Sequence, residues 1–328
     1  MNARYSVSWQ KILAQGFASV NELLEFLSLP QTAGSVKAEK IFKTRVPRGF
    51  AARMEAGNPK DPLLLQVLAV DEELHEVVGF ETDPLAEEAA TCQQGLLHKY
   101  QGRVLLTLTG VCAVNCRYCF RRHFPYQANN PGSEGWESVL NYIRDNPTIH
   151  EVILSGGDPL LATNVVLHRL LSQLEQIPQV KTLRIHSRIP VVLPERIDEG
   201  LLERLSASRL HKVIVIHSNH ARELNDSVFN ACKALREAGC HLLNQSVLLK
   251  GVNDNVESLI ALSEQLFYCG VLPYYLHLLD KVQGAAHFDL PLENALTLYR
   301  QIQKKLPGYL VPRLAREEPG RENKTLLI

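Results

Sequence analysis

Three cysteines stand close together in the stretch GVCAVNCRYCFRRHF. Cys112, Cys116 and Cys119 have a CxxxCxxC spacing and follow an apolar run that predicts a β-strand. A loop this short can wrap three thiolates around one face of a cuboidal iron–sulfur cluster, for which thiolates are preferred ligands. Three ligands leave one iron open, so the spacing predicts a [4Fe–4S] cluster that can bind a further molecule.

Zinc is the alternative ligand for this loop. His123 follows Cys119 at a workable spacing and would complete a Cys3His tetrahedron. A closed zinc site normally draws on ligands separated by a longer loop, which favours the iron–sulfur interpretation. The chain has seven cysteines, an odd number that argues against a disulfide framework. The remaining four are scattered, and we assign no special role to Cys92, Cys232, Cys240 and Cys269.

Six β-rich runs alternate with helix-length amphipathic segments from Arg103 onward. Strict alternation predicts an α/β fold with a parallel sheet, either an open doubly wound sheet or an incomplete (β/α)6 barrel. Polar residues gather just after the strands, in SGGDP, HSR, HSNH, NQS and LDK. In a barrel these positions meet at the C-terminal mouth, where active sites form, so the barrel is favoured.

The remainder of the chain sets the domain organisation and excludes several partner classes. We expect a helical N-terminal extension over residues 1–95 and the partial barrel, with a C-terminal cofactor-binding segment, over residues 96–328. Acidic and basic residues balance at 35 each, and no basic tract predicts nucleic-acid binding. Neither a secretory signal nor an apolar run of roughly 20 residues is found, so we expect a cytoplasmic protein without membrane association.

The cysteine motif resembles that of radical S-adenosylmethionine (SAM) enzymes, and its sequence is similar to the lysine 2,3-aminomutase branch of that family. The similarity extends through LSGGDPLL, LRIHSRIPVVLPERI, LLNQSVLLKGVNDN, PYYLHLLDKVQGAAHF and GYLVPRLARE, over most of residues 40 to 328. The resemblance implies an isomerase that moves the 2-amino group of L-lysine to carbon 3. Its cofactors would be a [4Fe–4S] cluster, SAM and pyridoxal 5′-phosphate (PLP).

The resemblance also implies a SAM site at the ends of two strands. SGGDP matches the glycine-rich SAM motif, in which glycines let the backbone approach the ligand closely. Alone, this string also suits a plain strand-to-helix turn. RIHSR lies where the ribose, carboxylate or adenine of SAM would bind, although structural hydrogen bonding is equally compatible with it. The expected SAM-binding residues are Ser155, Gly156, Gly157, Asp158, Ser187 and Arg188.

PLP would be held by residues from both ends of the barrel region. Lys324, in ENKTLLI, matches the family lysine that forms the Schiff base with PLP. From position alone it would be a solvated C-terminal lysine. Lys99, Arg103 and Gln245 match positions that hold the PLP phosphate, a role suited to basic and amide donors.

The substrate contacts implied by the resemblance involve both ends of lysine. Arg121 matches the arginine that pairs with the substrate carboxylate, and Asp280 matches the aspartate that receives the side-chain ammonium. An acid at position 280 therefore favours a cationic substrate. Lysine-specific relatives carry a second aspartate one short loop before the PLP lysine, whereas this chain reads REEPGREN, with Glu317 nearest by spacing. His277 stands where some relatives have tyrosine, and it receives no role.

The relatively short chain resembles most closely the aminomutases that make (R)-β-lysine for modification of bacterial translation elongation factor P. The resemblance thus implies conversion of (S)-α-lysine to (R)-β-lysine, an electron donor such as flavodoxin or ferredoxin, and an indirect link to that factor. A radical SAM aminomutase for another amino acid and a zinc-stabilised, non-enzymatic module are the alternatives.

Overall fold

The computed structural model describes residues 8–87, 90–126 and 132–328. The chain begins with short helices, and caps formed by serine or aspartate side chains mark several of their starts; Asp61, for example, accepts hydrogen bonds from two backbone N–H groups. These helices are α1 (Trp9–Ala14), α2 (Val20–Phe26), α3 (Val36–Ile41), α4 (Arg48–Ala51) and α5 (Pro62–Leu65).

The strands that follow form one sheet in which the order along the sheet equals the order along the chain. In the described residues they are β1 (Thr91–Gln93), β2 (Leu96–Tyr100), β3 (Arg103–Thr109), β4 (Glu151–Gly156), β5 (Thr182–Ser187), β6 (His211–Ile216), β7 (Cys240–Val247), β8 (Leu272–His277), β9 (Arg313–Arg316) and β10 (Thr325–Leu326). Pairing is parallel from β3 through β9 and antiparallel at both ends.

Helices connect the parallel strands. They are α6 (Gly132–Asp145), α7 (Asn164–Glu175), α8 (Ile189–Val192), α9 (Glu199–Ser206), α10 (Asp226–Glu237), α11 (Val256–Tyr268) and α12 (Leu292–Lys305). Side-chain caps recur at their N-termini: Asn225 accepts from the N–H of Val228, and Asn255 accepts from the N–H of Ser258. Among the described residues, β1 and β10 do not pair with each other, so the sheet stays open.

The six strands predicted from the sequence are confirmed as β3 to β8, and the expected α/β fold with an incomplete barrel is confirmed. In β5, side chains of two kinds alternate along the strand. Leu183, Ile185 and Ser187 are buried, while the side chains between them line the interior cavity. The short strands β1, β2, β9 and β10 were not predicted. They have between two and five residues each, too few to give a clear alternating pattern.

The main hydrophobic core runs through both halves of the chain. It includes Trp9, Phe17 and Leu23 from the N-terminal helices together with Leu140 and Leu183 from the barrel. Arg196 lies over the ring of Trp9, with 4.9 Å between the guanidinium carbon and the ring centre. The helical segment therefore packs on the barrel. No helix within the described ranges is both long enough and apolar enough to cross a bilayer.

Candidate active site

The cysteine loop follows β3 and is held by the N-terminal helical segment. Arg45 donates from Nη1 to the carbonyl of Cys112 at 3.0 Å, and the N–H of Asn115 donates to the carbonyl of Arg45 at 3.0 Å. Cys112, Cys116 and Cys119 are all partly exposed and line one cavity of about 190 Å³. The structure thus brings the three predicted ligands together at the C-terminal end of the sheet.

The electrostatics of these thiols suit a cationic cluster. Burial, and to a lesser degree the neighbouring Cys116, raise the pKa of the Cys119 thiol to about 11. The pKa of Cys112 is also raised by burial and by the other two cysteines. Three crowded thiolates repel each other, so the donor set is stabilised only by a bound positive centre, which an iron–sulfur cluster supplies. The residues present therefore fit the cluster.

His123 does not complete a zinc site. Its Nε2 atom lies 3.2 Å from the carbonyl oxygen of Gln283. Within the described ranges, no group of three or more His, Cys, Asp or Glu side chains is arranged to hold a metal ion. Because His123 contacts Gln283 and is not among the residues that line the cysteine cavity, the arrangement favours a three-thiolate cluster over a Cys3His zinc site.

The glycine-rich end of β4 packs directly against the cysteine loop. Gly156 has φ +107°, and a Cβ added to Gly157 would lie 2.4 Å from the carbonyl oxygen of Val111. Any side chain at Gly157 would push the cysteine loop away. These glycines, predicted to bind SAM, therefore also permit close contact between β4 and the loop, and both line the cysteine cavity.

Asp158 joins the ends of β4 and β5. Its carboxylate accepts from Ser187 Oγ at 2.7 Å, from the N–H groups of Arg188 at 2.7 Å and Ile189 at 3.1 Å, and from that of Leu160 at 3.1 Å. Burial raises the pKa of Asp158 to about 6, against the lowering effect of these donors. Asp158 and Ser187, both predicted to bind SAM, are thus engaged with each other while lining the cavity.

Arg188 links the cysteine loop to the N-terminal segment. Its Nη1 donates to Cys116 Sγ at 2.7 Å, and its Nη2 donates to Gln66 Oε1 at 2.6 Å and to Glu223 Oε2 at 3.0 Å. Gln66 also donates from Nε2 to Glu223 at 3.1 Å. Sequence reasoning missed Gln66 and Glu223, because nothing local to either one indicates that it meets Arg188.

A second cavity of about 170 Å³ adjoins the first. It brings together all four residues predicted to bind PLP, namely Lys99, Arg103, Gln245 and Lys324. Its charged lining contains more cations than anions: Lys99, Arg103, Arg121, Arg184 and Lys324 against Glu87 and Glu317. In addition, the buried Nε of Arg103 has no hydrogen-bond partner among the residues that the structure describes. This excess of donors and positive charge fits an anionic, phosphate-bearing group.

Lys324 and Glu317 lie on the shared wall of the two cavities. Lys324 Nζ donates to Glu317 Oε2 at 2.6 Å, and Tyr100 donates its hydroxyl to Glu317 Oε1 at 3.2 Å. Burial would raise the pKa of Glu317, but the charges of Lys324 and Lys99 lower it to about 2. Glu317 is therefore ionised and forms an ion pair with Lys324.

Asp280 lies in the cysteine cavity near Glu317. Burial, and to a lesser degree the negative charge of Glu317, raise the pKa of Asp280 to about 7. The positive charge of Lys324 opposes this shift. Two neighbouring carboxylates of this kind favour a cationic ligand between them. His277, to which no role was assigned, lines the same cavity, with its Nε2 2.8 Å from Gln245 Nε2.

Arg121 is buried between the two cavities and is paired with Glu87. Its Nε lies 2.6 Å from Glu87 Oε2, and its Nη1 donates to Ser155 Oγ at 2.9 Å. Burial would raise the pKa of Glu87, but Arg121 and Lys99 lower it. Glu87 was not predicted as a site residue, since it stands in a run of acidic residues, ETDPLAEEA, that gives no indication of its partner.

Comparison with known proteins identifies the family of this chain. Residues 106–262 match the model of the radical SAM superfamily. Over the full chain, 49% of residues are identical to L-lysine 2,3-aminomutase of Escherichia coli (strain K12), of which 96% is covered. The chain belongs to the L-lysine 2,3-aminomutase family. The family protein of Haemophilus influenzae is 48% identical over 98% of this chain and 96% of its own length.

More distant family members are longer than this chain. L-lysine 2,3-aminomutase of Clostridium subterminale is 33% identical over 97% of this chain but only 77% of its own length. Among solved structures, a radical SAM methyltransferase from Sphaerobacter thermophilus matches with a TM-score of 0.47 and 18% identity, over 67% of this chain and 68% of that one. Membership in the radical SAM superfamily implies a [4Fe–4S] cluster and SAM as cofactors.

Proposed function

We propose that this protein is an L-lysine 2,3-aminomutase that converts (S)-α-lysine to (R)-β-lysine with a [4Fe–4S] cluster, SAM and PLP. The supporting observation is that two adjoining cavities share Lys324, one lined by the three cysteines and the other rich in cations. Full-length identity of 49% to an enzyme of that name supports the substrate.

In this proposal the cysteine cavity holds the cluster and SAM. Cys112, Cys116 and Cys119 would hold the cluster, and the backbone of Gly156 and Gly157 would let SAM approach it closely. Asp158 and Ser187 keep the ends of β4 and β5 at a fixed distance beside it. The cation-rich cavity holds PLP: Lys99, Arg103 and Gln245 bind its phosphate, and Lys324 is its covalent attachment point.

When bound, SAM and the reduced cluster supply a carbon-centred radical that removes hydrogen from the substrate, and PLP supplies a π system that carries the unpaired electron while nitrogen moves. The protein's residues orient the reactants. Arg121 binds the substrate carboxylate, and Asp280 with Glu317 binds the side-chain ammonium, so that carbon 3 is held at a fixed depth in the cavity. Glu317 holds Lys324 Nζ in position through their 2.6 Å contact.

The proposal also covers the electron donor, the use of the product and the cellular compartment. A flavodoxin or ferredoxin would reduce the cluster, the product would serve the modification of elongation factor P, and the enzyme would act in the cytoplasm. The division into a helical extension over 1–95 and a barrel over 96–328 remains a prediction as well.

The test is an anaerobic assay of iron-reconstituted, reduced protein with SAM, PLP and L-lysine labelled at the α-nitrogen, followed by NMR. We expect the label to appear on carbon 3 in the wild type and in Cys92→Ser, a cysteine outside both cavities, but not in Cys116→Ala or Lys324→Ala. Cleavage of SAM without movement of the label would overturn lysine as the substrate. Label movement in Cys116→Ala would overturn the cluster assignment.

A further inference from the structure

The guanidinium of Arg121 is almost fully engaged before any substrate is present. Its Nε and Nη2 donate to the two carboxylate oxygens of Glu87 at 2.6 and 2.7 Å, and its Nη1 donates to Ser155 Oγ at 2.9 Å and to the Gly156 carbonyl at 3.4 Å. The side chains of Arg121 and Glu87 are only 9% and 4% exposed. Four of the five N–H groups are thus occupied, and a second carboxylate cannot form a two-point contact with this arginine.

The proposed function nevertheless requires a carboxylate at Arg121. We propose that Glu87 is an internal placeholder for the substrate: its carboxylate neutralises Arg121 until the α-carboxylate of an amino acid displaces it. This inference rests on the proposed function, in which lysine is the amino acid that binds. It adds a specificity residue from the segment before β1, outside the barrel.

The charge balance explains why Glu87, and not Ser155, gives way. Exchange of one carboxylate for another keeps the buried guanidinium neutralised at every stage, whereas displacing Ser155 would leave two carboxylates around one cation. Ser155 is also part of β4, where it pairs with Thr107 of β3. Glu87 instead follows Ala86, whose φ of 47° is unfavourable for alanine, in a segment without regular structure.

The displaced carboxylate has a partner close by. Lys99 Nζ lies 3.5 Å from Glu87 Oε1 and also donates to the carbonyl of Leu85 at 3.3 Å. Because Lys99 already contacts Glu87, a rotation of the Glu87 side chain away from Arg121 would leave its carboxylate paired with one of its two present cations. Because an ammonium has three donors, Lys99 can receive this carboxylate while it still contacts a phosphate.

The exchange makes recognition of the carboxylate selective. An amine without a carboxylate, such as cadaverine, has nothing to displace Glu87 and leaves the pair with Arg121 intact. An amino acid must compete with Glu87, so its measured affinity equals its intrinsic affinity multiplied by the fraction of protein in which Arg121 is already free. Removing the charge of Glu87 should raise affinity for lysine and not for cadaverine.

The experiment measures equilibrium binding of L-lysine and cadaverine to PLP-loaded protein by titration calorimetry, without reductant or SAM. In Glu87→Gln we expect lysine to bind about tenfold more tightly than in the wild type and cadaverine to bind no more tightly. Glu81→Gln is the matched control, because Glu81 is an exposed carboxylate of the same segment whose backbone pairs with Val282. It should behave as the wild type does.

Three outcomes would overturn the inference. If the wild type binds lysine and Glu87→Gln binds it equally or more weakly, Glu87 does not compete, although the proposed substrate stands. If lysine and cadaverine both tighten equally, Glu87 only occupies space. If neither protein binds lysine, the proposed function fails and the inference with it. Should Glu87→Gln not fold, Glu87→Asp, which keeps the charge but shortens the reach to Arg121, should bind lysine more tightly than the wild type does and cadaverine no more tightly.

Discussion

Lys324 carries the covalent chemistry in the proposed function, and its ion pair with Glu317 gives it a fixed position. Lys324→Ala removes the attachment point, so we expect the PLP absorption band to be lost and activity to fall by about a thousandfold or more. Lys250→Ala, which changes an exposed lysine, is the control and should keep both. Absorption spectra and turnover of the two reconstituted proteins provide the measurement. Retention of the PLP band by Lys324→Ala would assign the Schiff base to another lysine.

Asp280 predicts a particular dependence of stability on pH. Its pKa in the folded protein is about 7, above the usual value of an aspartate, so the folded protein binds this proton more tightly than the unfolded chain does. Its contribution to stability is therefore full below about pH 4 and declines as the pH rises toward 7. In Asp280→Asn this decline should disappear, which makes the variant more stable than the wild type by roughly 4 kcal/mol at pH 8 and equally stable near pH 4.

Urea unfolding of the cofactor-free proteins at several pH values measures this effect. Asp145→Asn, in which an exposed aspartate is changed, should follow the wild type throughout. A stability difference between Asp280→Asn and the wild type that is constant with pH would show that ionisation of Asp280 is not its cause.

Among the elements, the short turn at Asp71–Leu74 fixes the cysteine loop. Glu73 on this turn accepts from Arg117 Nε at 2.8 Å and from Arg122 Nη2 at 2.7 Å. Both arginines follow cysteines of the loop directly or within three positions. Glu73→Ala would leave two buried cations without their carboxylate, so we expect a loss of about 3–5 kcal/mol and poor retention of iron.

Denaturant unfolding and iron content of the purified protein measure the two effects. Glu72→Ala is the control, because Glu72 is the adjacent exposed carboxylate. Equal losses of stability and iron in the two variants would show that the buried ion pairs of Glu73 are not the cause.

The strands could be predicted from the sequence, whereas the long-range residue pairs of the site could not. The strands β3 to β8 were predictable because each has six to eight residues, in which buried positions alternate, as in β5, or follow one another without a break, as in β4. The pairs that complete the site were not. Glu87 is 34 positions from Arg121, and Gln66 is 122 positions from Arg188. No local pattern links such residues, since their meeting depends on how the N-terminal helices pack on the finished sheet.

At the scale of the whole molecule, the shared core predicts that the helical segment and the barrel unfold together. The chain has two tryptophans, Trp9 in the helical segment and Trp136 in the barrel, both buried in the same core. Trp9→Phe and Trp136→Phe each leave one reporter. We expect the two variants to give coincident fluorescence and circular dichroism transitions on heating. A fluorescence transition of Trp9 at lower temperature than that of Trp136 would instead support an independent N-terminal unit.

The contact between Arg188 and Cys116 influences the reduction potential of the proposed iron–sulfur cluster. A positive charge and an N–H donor beside a ligating sulfur stabilise the added electron, so they make the reduction potential less negative. Glu223, on the other side of the same guanidinium, opposes this effect. Glu223→Gln should therefore shift the potential in the positive direction, which a redox titration followed by electron paramagnetic resonance measures. A shift in the negative direction would contradict it. The driving force required of any electron carrier thus depends also on two charges, neither of which binds iron.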